Sequence, residues 1–388
     1  MKKINWPIFN FFSFFFVFYL IMSVAAFIQV IYFQQQHALL NFGYATGIMA
    51  IAGAITQAMF GYLRRLASQL IILSGFICYC MAFYLRIFPT SMILSILSGI
   101  FAGYGATVII VYIRLNLMQL AENQTQSGES IISRRYTVVQ IATLIGTAIA
   151  GMLMSQATRH GISIPAVMIT LAIMMGLLVF WPKNMAIDFS SKAPTKFTWP
   201  LKNTTYLFVA ITSVLLGALL STFAPLIPAM LGVFIAKVSL VSQLTTISSL
   251  LTLIGSLIIS KQLFMKQPLK SMYLMACCTG VLAAATYVFN VPGYWLFILA
   301  WFSLWSGMYI QLKEVYEFNL LKNKTLRKVD LIAVSQTAFL VGDSIGTPIA
   351  SVLLQDFGLT LVFCSYGAFS IIVSVVLWRM WRFKIKSR

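Results

Sequence analysis

Apolar residues run along this chain in long blocks, and polar residues collect in the short stretches between them. Blocks long enough to cross about 30 Å of hydrocarbon at 1.5 Å per residue fall at about 8–33, 39–63, 69–88, 91–118, 132–157, 161–181, 205–231, 238–260, 270–290, 292–321, 331–356 and 358–378. This spacing predicts an all-α integral membrane protein with twelve transmembrane helices. The first block follows Lys2 and Lys3 and contains Ser23, Val24 and Ala25, a sequence resembling a signal-peptidase site. It is longer than the apolar core of a leader peptide and eleven blocks follow it, so an uncleaved first helix is expected. Trp6, Trp181, Trp199, Trp378 and Trp381 border the blocks on one side and Trp295 on the other, where an amphipathic ring prefers to sit.

Composition strengthens this picture. Of 388 residues, 60% are apolar and only 9% charged, a balance that excludes a soluble class. The longest polar stretch, from about Pro182 to Asn203, is too short to bury a core of its own. A net charge of +19 first suggests nucleic acid, but its distribution argues otherwise. Dividing the chain at its apolar blocks puts 22 of the 27 Lys and Arg residues into alternate loops, leaving Arg86, Arg159 and Lys237 in the opposite set and Arg114 and Lys313 inside blocks. Such asymmetry is the positive-inside rule, so both termini are expected in the cytoplasm and the protein in the cytoplasmic membrane. Cys78, Cys80, Cys277, Cys278 and Cys364 lie in apolar blocks without metal-ligand or disulfide spacing. His37 and His160 fall at outer loops, far apart in sequence. No metal, cofactor or nucleic-acid partner is expected.

An internal repeat organises the blocks. Gly146–Leu153 in the fifth matches Gly346–Leu353 in the eleventh at five of eight positions, with an offset of 200 residues. Arg114–Leu117 in the fourth matches Glu317–Leu320 in the tenth at an offset of 203. Two related six-helix bundles, 1–181 and 205–388, joined by a cytoplasmic linker at 182–204, are therefore expected. This arrangement resembles the major facilitator superfamily over essentially the whole chain. Gly61-Tyr62-Leu63-Arg64-Arg65 is similar to the family's loop after the second helix, without its acid. Gly146-Thr147-Ala148-Ile149-Ala150-Gly151 is similar to an antiporter motif of the fifth helix, without its proline. The family's buried arginine of the fourth helix has no counterpart here.

An ionisable side chain inside hydrocarbon is costly unless it faces a polar cavity or a partner. Arg114, Lys313, Glu314, Glu317 and Asp343 qualify. Arg114 and Glu317 are pseudosymmetric mates, and the resemblance implies an ion pair that closes an inner gate. The competing reading has both side chains snorkelling to the interface. Lys313 and Glu317 share a helix face and can pair within the tenth helix. Glu314, rotated by about 100°, needs another partner and is a candidate proton site, the alternative being a carboxylate hydrated in the inner vestibule. Asp343 sits about 18 Å into the eleventh block, beyond the reach of snorkelling. It is expected to be a coupling acid or, in the structural alternative, a protonated carboxyl bonded across a helix interface.

Tyr19, Ser23, Gln29, Ser221, Thr222, Trp301, Trp305 and Tyr309 lie on helices that line the central cavity in the family, and aromatic faces with sparse polar groups suit an amphiphilic solute. No Walker-type loop supports ATP-driven pumping, and no nucleophile–base set supports an enzyme. The expectation is a monomeric secondary active transporter of a small organic solute, coupled to protons through Asp343 or the Glu314–Glu317 pair. Export is placed ahead of import, and a non-transporting receptor last.

Overall fold

The computed structural model describes residues 6–63, 68–122, 128–184, 204–259, 267–321 and 328–386. Among them it contains thirteen α-helices and no strand: α1 (Trp6–Gln35), α2 (Leu39–Leu63), α3 (Ser68–Leu85), α4 (Met92–Glu122), α5 (Gly128–Arg159), α6 (Ile164–Leu177), α7 (Thr204–Ser221), α8 (Ile227–Gly232), α9 (Val238–Ile259), α10 (Pro268–Ala284), α11 (Pro292–Leu321), α12 (Lys328–Val352) and α13 (Leu359–Lys386). Eleven spans are long and apolar enough to cross a membrane, with α7 and α8 counted together; α3 is a shorter apolar helix. The chain is thus an all-helical multi-pass membrane protein, as its apolar blocks predict. A membrane interior leaves the backbone no other open arrangement, because every N–H and C=O must find a partner within the chain.

Two departures from the sequence expectation have physical causes. The seventh block was expected to be one uninterrupted helix, but it breaks after Ser221 and resumes at Ile227 through a short 3₁₀ turn, Ala224–Leu226. Pro225 and Pro228 supply no N–H to the ladder, so an unbroken α-helix is disfavoured there. Helices α4 and α5 outrun their apolar blocks, reaching Glu122 and starting at Gly128. Hydrogen bonding along the helix continues past the point where apolar composition stops.

Packing follows the sequence repeat. Helix α5 lies on α1, and α12 lies on α7. A side chain at Gly146 would meet Ser23 and the Leu20 carbonyl of α1; one at Gly346 would meet Ser221, Ala218 and Thr222 at the end of α7. The repeated glycine performs the same task in both places, letting two backbones approach where only small residues fit. Further contacts, α2 with α4, α3 with α4 and α6, α9 with α11, and α10 with α11 and α13, join helices from the same part of the chain. Contact between the two sets is carried chiefly by α2 against α12 and α5 against α9.

That cross-contact is concentrated on the side away from the chain ends. Gly43 and Gly47 of α2 receive Ser351, Pro348 and the Ser344 carbonyl of α12. Pro348 cannot donate to that carbonyl, which leaves it turned toward α2. Ser242 of α9 donates to the Thr147 carbonyl of α5 at 2.8 Å, Gln34 Nε2 to the Ala229 carbonyl at 2.9 Å, and the Leu40 amide to Gln355 Oε1 at 2.9 Å. A Gly346→Val substitution is expected to force α7 and α12 apart and cost about 1–3 kcal/mol. Gly293→Ala, with open space around it, is expected to be neutral or slightly stabilising. Thermal unfolding in detergent checks both, and a Gly346→Val protein as stable as wild type would contradict the close-packing account.

Candidate functional site

The ends of α2 and α12 and of α5 and α9 close over a cavity of about 580 Å³, lined from both sets of helices. On α1, Met22, Ser23, Ala25, Ala26 and Gln29 face it at spacings of three and four, the stripe that one side of a helix presents. Thr46, Met49 and Gly53 of α2, Ala102, Ala106 and Ile110 of α4, and Gln140, Thr143 and Thr147 of α5 continue the wall. The other set contributes Ser221, the α7–α8 break, Thr245, Ser248, Ser249 and Thr252 of α9, Phe302, Ser306 and Ile310 of α11, and Phe339, Asp343 and Thr347 of α12. The surface is largely apolar, with aromatic rings from Phe27, Phe42, Phe83, Phe302 and Phe339.

Hydroxyl groups form its main neutral polar seam. The hydroxyls of Ser248 and Ser303 share a hydrogen bond, and Thr252 donates to the Ser303 carbonyl at 3.0 Å. Across the cavity, Ser23 donates to Thr143 at 3.3 Å. Thr147 and Thr246 meet at 3.3 Å where α5 touches α9. Each hydroxyl also bonds backbone within its own helix in most cases, so the seam holds little unsatisfied polarity.

Two lining residues carry formal charge, and they come from opposite sets of helices. Asp343, on α12, lines the cavity together with Ser221 at the end of α7. Arg86 follows α3 directly, its amide closing a final turn onto the Ala82 carbonyl at 3.2 Å. Its side chain does not point to water but turns inward, 8% exposed. The guanidinium donates to Gln29 Oε1, to Ser98 Oγ at 3.4 Å and toward the Met49 sulfur at 3.7 Å. Sequence reasoning placed Arg86 with the few basic residues of the outer loops and assigned it no role. The available signal was a single arginine embedded in Leu85, Ile87 and Phe88, on the side that the positive-inside rule depletes of charge.

The residues expected to line the cavity divide. Ser23, Gln29 and Ser221 do, and Asp343, expected as a coupling acid, joins them on the wall. Tyr19 packs edge-on against Phe15, one turn away, and the adjacent Phe18, and Thr222 donates to the Ala218 carbonyl. Trp301, Trp305 and Tyr309 also lie off the cavity: they form a row of contacting rings, and Trp301 donates to Thr279 of α10 at 3.2 Å. The error is one residue of helical phase. Positions 302, 306 and 310 face the cavity, and the aromatic row, rotated by about 100°, faces the neighbouring helix.

Lys313 and Glu317 pair within α11 at 3.1 Å, and Ser335 of α12 also donates to Glu317. Ser335 in turn meets Ser213 of α7 at 3.2 Å, so Glu317 is tied to a counterion and to two neighbouring helices below the cavity. The backbones of Arg114 and Glu314 belong to α4 and α11, but their side chains lie outside the described residues, and with them the expected Arg114–Glu317 pair. Among the described residues no His, Cys, Asp and Glu cluster suits a metal ion.

No protein-family profile matches the chain. No curated protein sequence matches it. Its fold is nevertheless shared with solved transporter structures. The nucleoside transporter NupG superposes with a TM-score of 0.67 at 12% identity, covering 96% of this chain and 98% of that one. The xylose transporter XylE from E. coli, in a partially occluded inward-open conformation, gives 0.67 at 11% identity, covering 96% and 97%. The human organic anion transporter MFSD10 gives 0.62 at 11% identity, covering 96% and 99%. This chain shares the fold of these transporters.

The phase assignment on α11 can be tested without knowing any solute. In a cysteine-free background, Ile310→Cys is expected to react with a small water-soluble thiol reagent, whereas Tyr309→Cys is expected to stay protected. Equal reaction rates would overturn the assignment.

Proposed function

We propose that this protein is a secondary active transporter that moves a small amphiphilic organic solute by alternating access, coupled to protons through Asp343. The observation that carries the reading is the cavity itself, set between two sets of helices, walled by both, and holding an acid remote from either helix end. A volume of about 580 Å³ falls within the range typical of small-molecule sites, and a mostly apolar wall with few polar groups suits a solute with a substantial apolar body. The shared fold with nucleoside, xylose and organic anion transporters supports the transport class.

In this reading 1–181 and 205–388 are the two moving bundles, joined through 182–204, with both termini in the cytoplasm of a cell whose plasma membrane the protein spans as a monomer. Their contacts through α2–α12 and α5–α9 then seal the outer side, and the form described is closed toward the outside. Opening that side requires those small-residue contacts to part while Lys313, Glu317 and Ser335 organise the inner side. Asp343 can report its protonation to this movement because it sits on α12, one turn from the Phe339 that lines the cavity and one turn from the Thr347 that donates to the Ser221 carbonyl. A carboxylate there favours contact with a donor or a cationic group; a protonated carboxyl is released from that need.

Export stands first because of the Gly146–Gly151 likeness to the antiporter motif. Import uses the same cavity and the same acid, and the direction of the flux driven by an imposed proton gradient separates the two. Asp343→Asn is expected to abolish proton-driven flux in vesicles while leaving solute counterflow intact, since exchange needs the cavity but not the titrating group. Unchanged driven transport in Asp343→Asn would remove Asp343 from coupling.

A further inference from the structure

Gln29 holds the second half of a site that Arg86 begins. Its Oε1 accepts from the Arg86 guanidinium, which fixes the amide orientation, since the opposite one would set donor against donor. The Nε2 is thereby directed elsewhere, and it is buried with no hydrogen-bond partner in a residue 2% exposed. Burying an unsatisfied amide donor is costly, so such a group marks a place where a partner is missing. Both side chains line the cavity.

Among the described residues, Arg86 is also a cation without a carboxylate. Its protein partners are an amide oxygen, a hydroxyl and a thioether, all neutral. Tyr79, Phe83 and Ala82 of α3 and Met49 of α2 surround it on the cavity wall, and the charged residue that faces it from the other helix set, Asp343, forms no ion pair with it. A guanidinium retained at 8% exposure with no counterion asks for one.

We propose that Arg86 and the Gln29 Nε2 form the head-group site of the cavity and bind the carboxylate of an organic acid whose apolar body lies along the phenylalanine-lined wall. The inference rests on the cavity being a solute site and adds the class of solute: a monocarboxylate with an aromatic or aliphatic body. A carboxylate has two oxygens, matching a guanidinium edge with an adjacent amide donor, and it supplies the negative charge the site lacks. Phe27 lies on α1 with Gln29 and Phe83 on α3 just before Arg86, Phe42 lies on α2, and Phe302 and Phe339 line the cavity from α11 and α12. The solute would therefore touch both halves, as one that couples their movement must.

The test uses the full-length protein in detergent and a panel of monocarboxylates, phenylacetate and octanoate among them, each paired with its neutral amide. Binding is read by thermal shift and by quenching of tryptophan fluorescence. At least one carboxylate is expected to bind about tenfold or more tightly than its amide, the margin of a charge-assisted hydrogen bond over a neutral one. Arg86→Gln is expected to erase that margin, and Arg86→Lys, which keeps the charge but loses the planar fork, to leave part of it. Should Arg86→Gln fail to fold, Arg86→Lys and Gln29→Leu still decide the matter, each being expected to narrow the margin. The proposal is overturned if no carboxylate of the panel binds, if amides bind equally well, or if all three variants keep the wild-type margin. Counterflow of the bound carboxylate in proteoliposomes separates the two readings. Binding without counterflow leaves this head-group site standing and defeats the transporter; flux of other solutes with no carboxylate preference does the reverse.

Discussion

Hydrocarbon neither hydrates a charge nor hydrogen-bonds a backbone, and most of what distinguishes this molecule follows from that single constraint. Backbone groups are satisfied within helices, so the chain becomes a bundle. Charges are expensive wherever they meet lipid, so those of Arg86, Lys313, Glu317 and Asp343 turn toward protein or the cavity. Lys313 and Glu317 neutralise each other. Arg86 and Asp343 instead face a shared space that two sets of helices enclose. Their cost in a largely apolar cavity is what makes a polar guest or a proton worth binding there.

The second dependence is on small residues. Lipid tails are as apolar as leucine, so helix association relies on close fit rather than on exclusion of water. The repeated glycine of α5 and α12 provides that fit within each set, against α1 and α7. Gly43 and Gly47 provide it between the sets, against Pro348 and Ser351. These latter contacts rest on shape, one hydroxyl-to-carbonyl bond, the Thr147–Thr246 hydroxyl pair and two end-to-end hydrogen bonds, with no ion pair among the described residues across the α2–α12 and α5–α9 seams. An interface of this kind can part and re-form without stranding a buried charge, which a switching interface needs.

Much of the architecture was legible in the sequence because membrane burial writes long, one-dimensional signals. Apolar block length places twelve helical units, and the 200-residue repeat singles out the two glycines that perform matched tasks. The site was less legible. Ser23, Gln29, Ser221 and Asp343 were picked out because polar residues are rare in such blocks. The aromatic row of α11 was misplaced because apolar residues surround the helix, leaving no amphipathic pattern to set its phase to within one residue. Arg86 was missed for a different reason. Its position just beyond the last turn of α3 reads as a loop, and only the turn of its side chain, captured by Gln29 from α1 fifty-seven residues earlier, brings it inside.

The central claim is that the two helix sets separate on the side where α2 meets α12. Spin labels at the exposed positions Gln36, after α1, and Phe357, at the end of the turn that follows α12, measure that separation directly by pulsed electron resonance in lipid bilayers. The account predicts two populations, a short distance matching the closed form described here and a longer one, whose ratio shifts with pH and no longer does so in Asp343→Asn. A single short distance at every pH would contradict it.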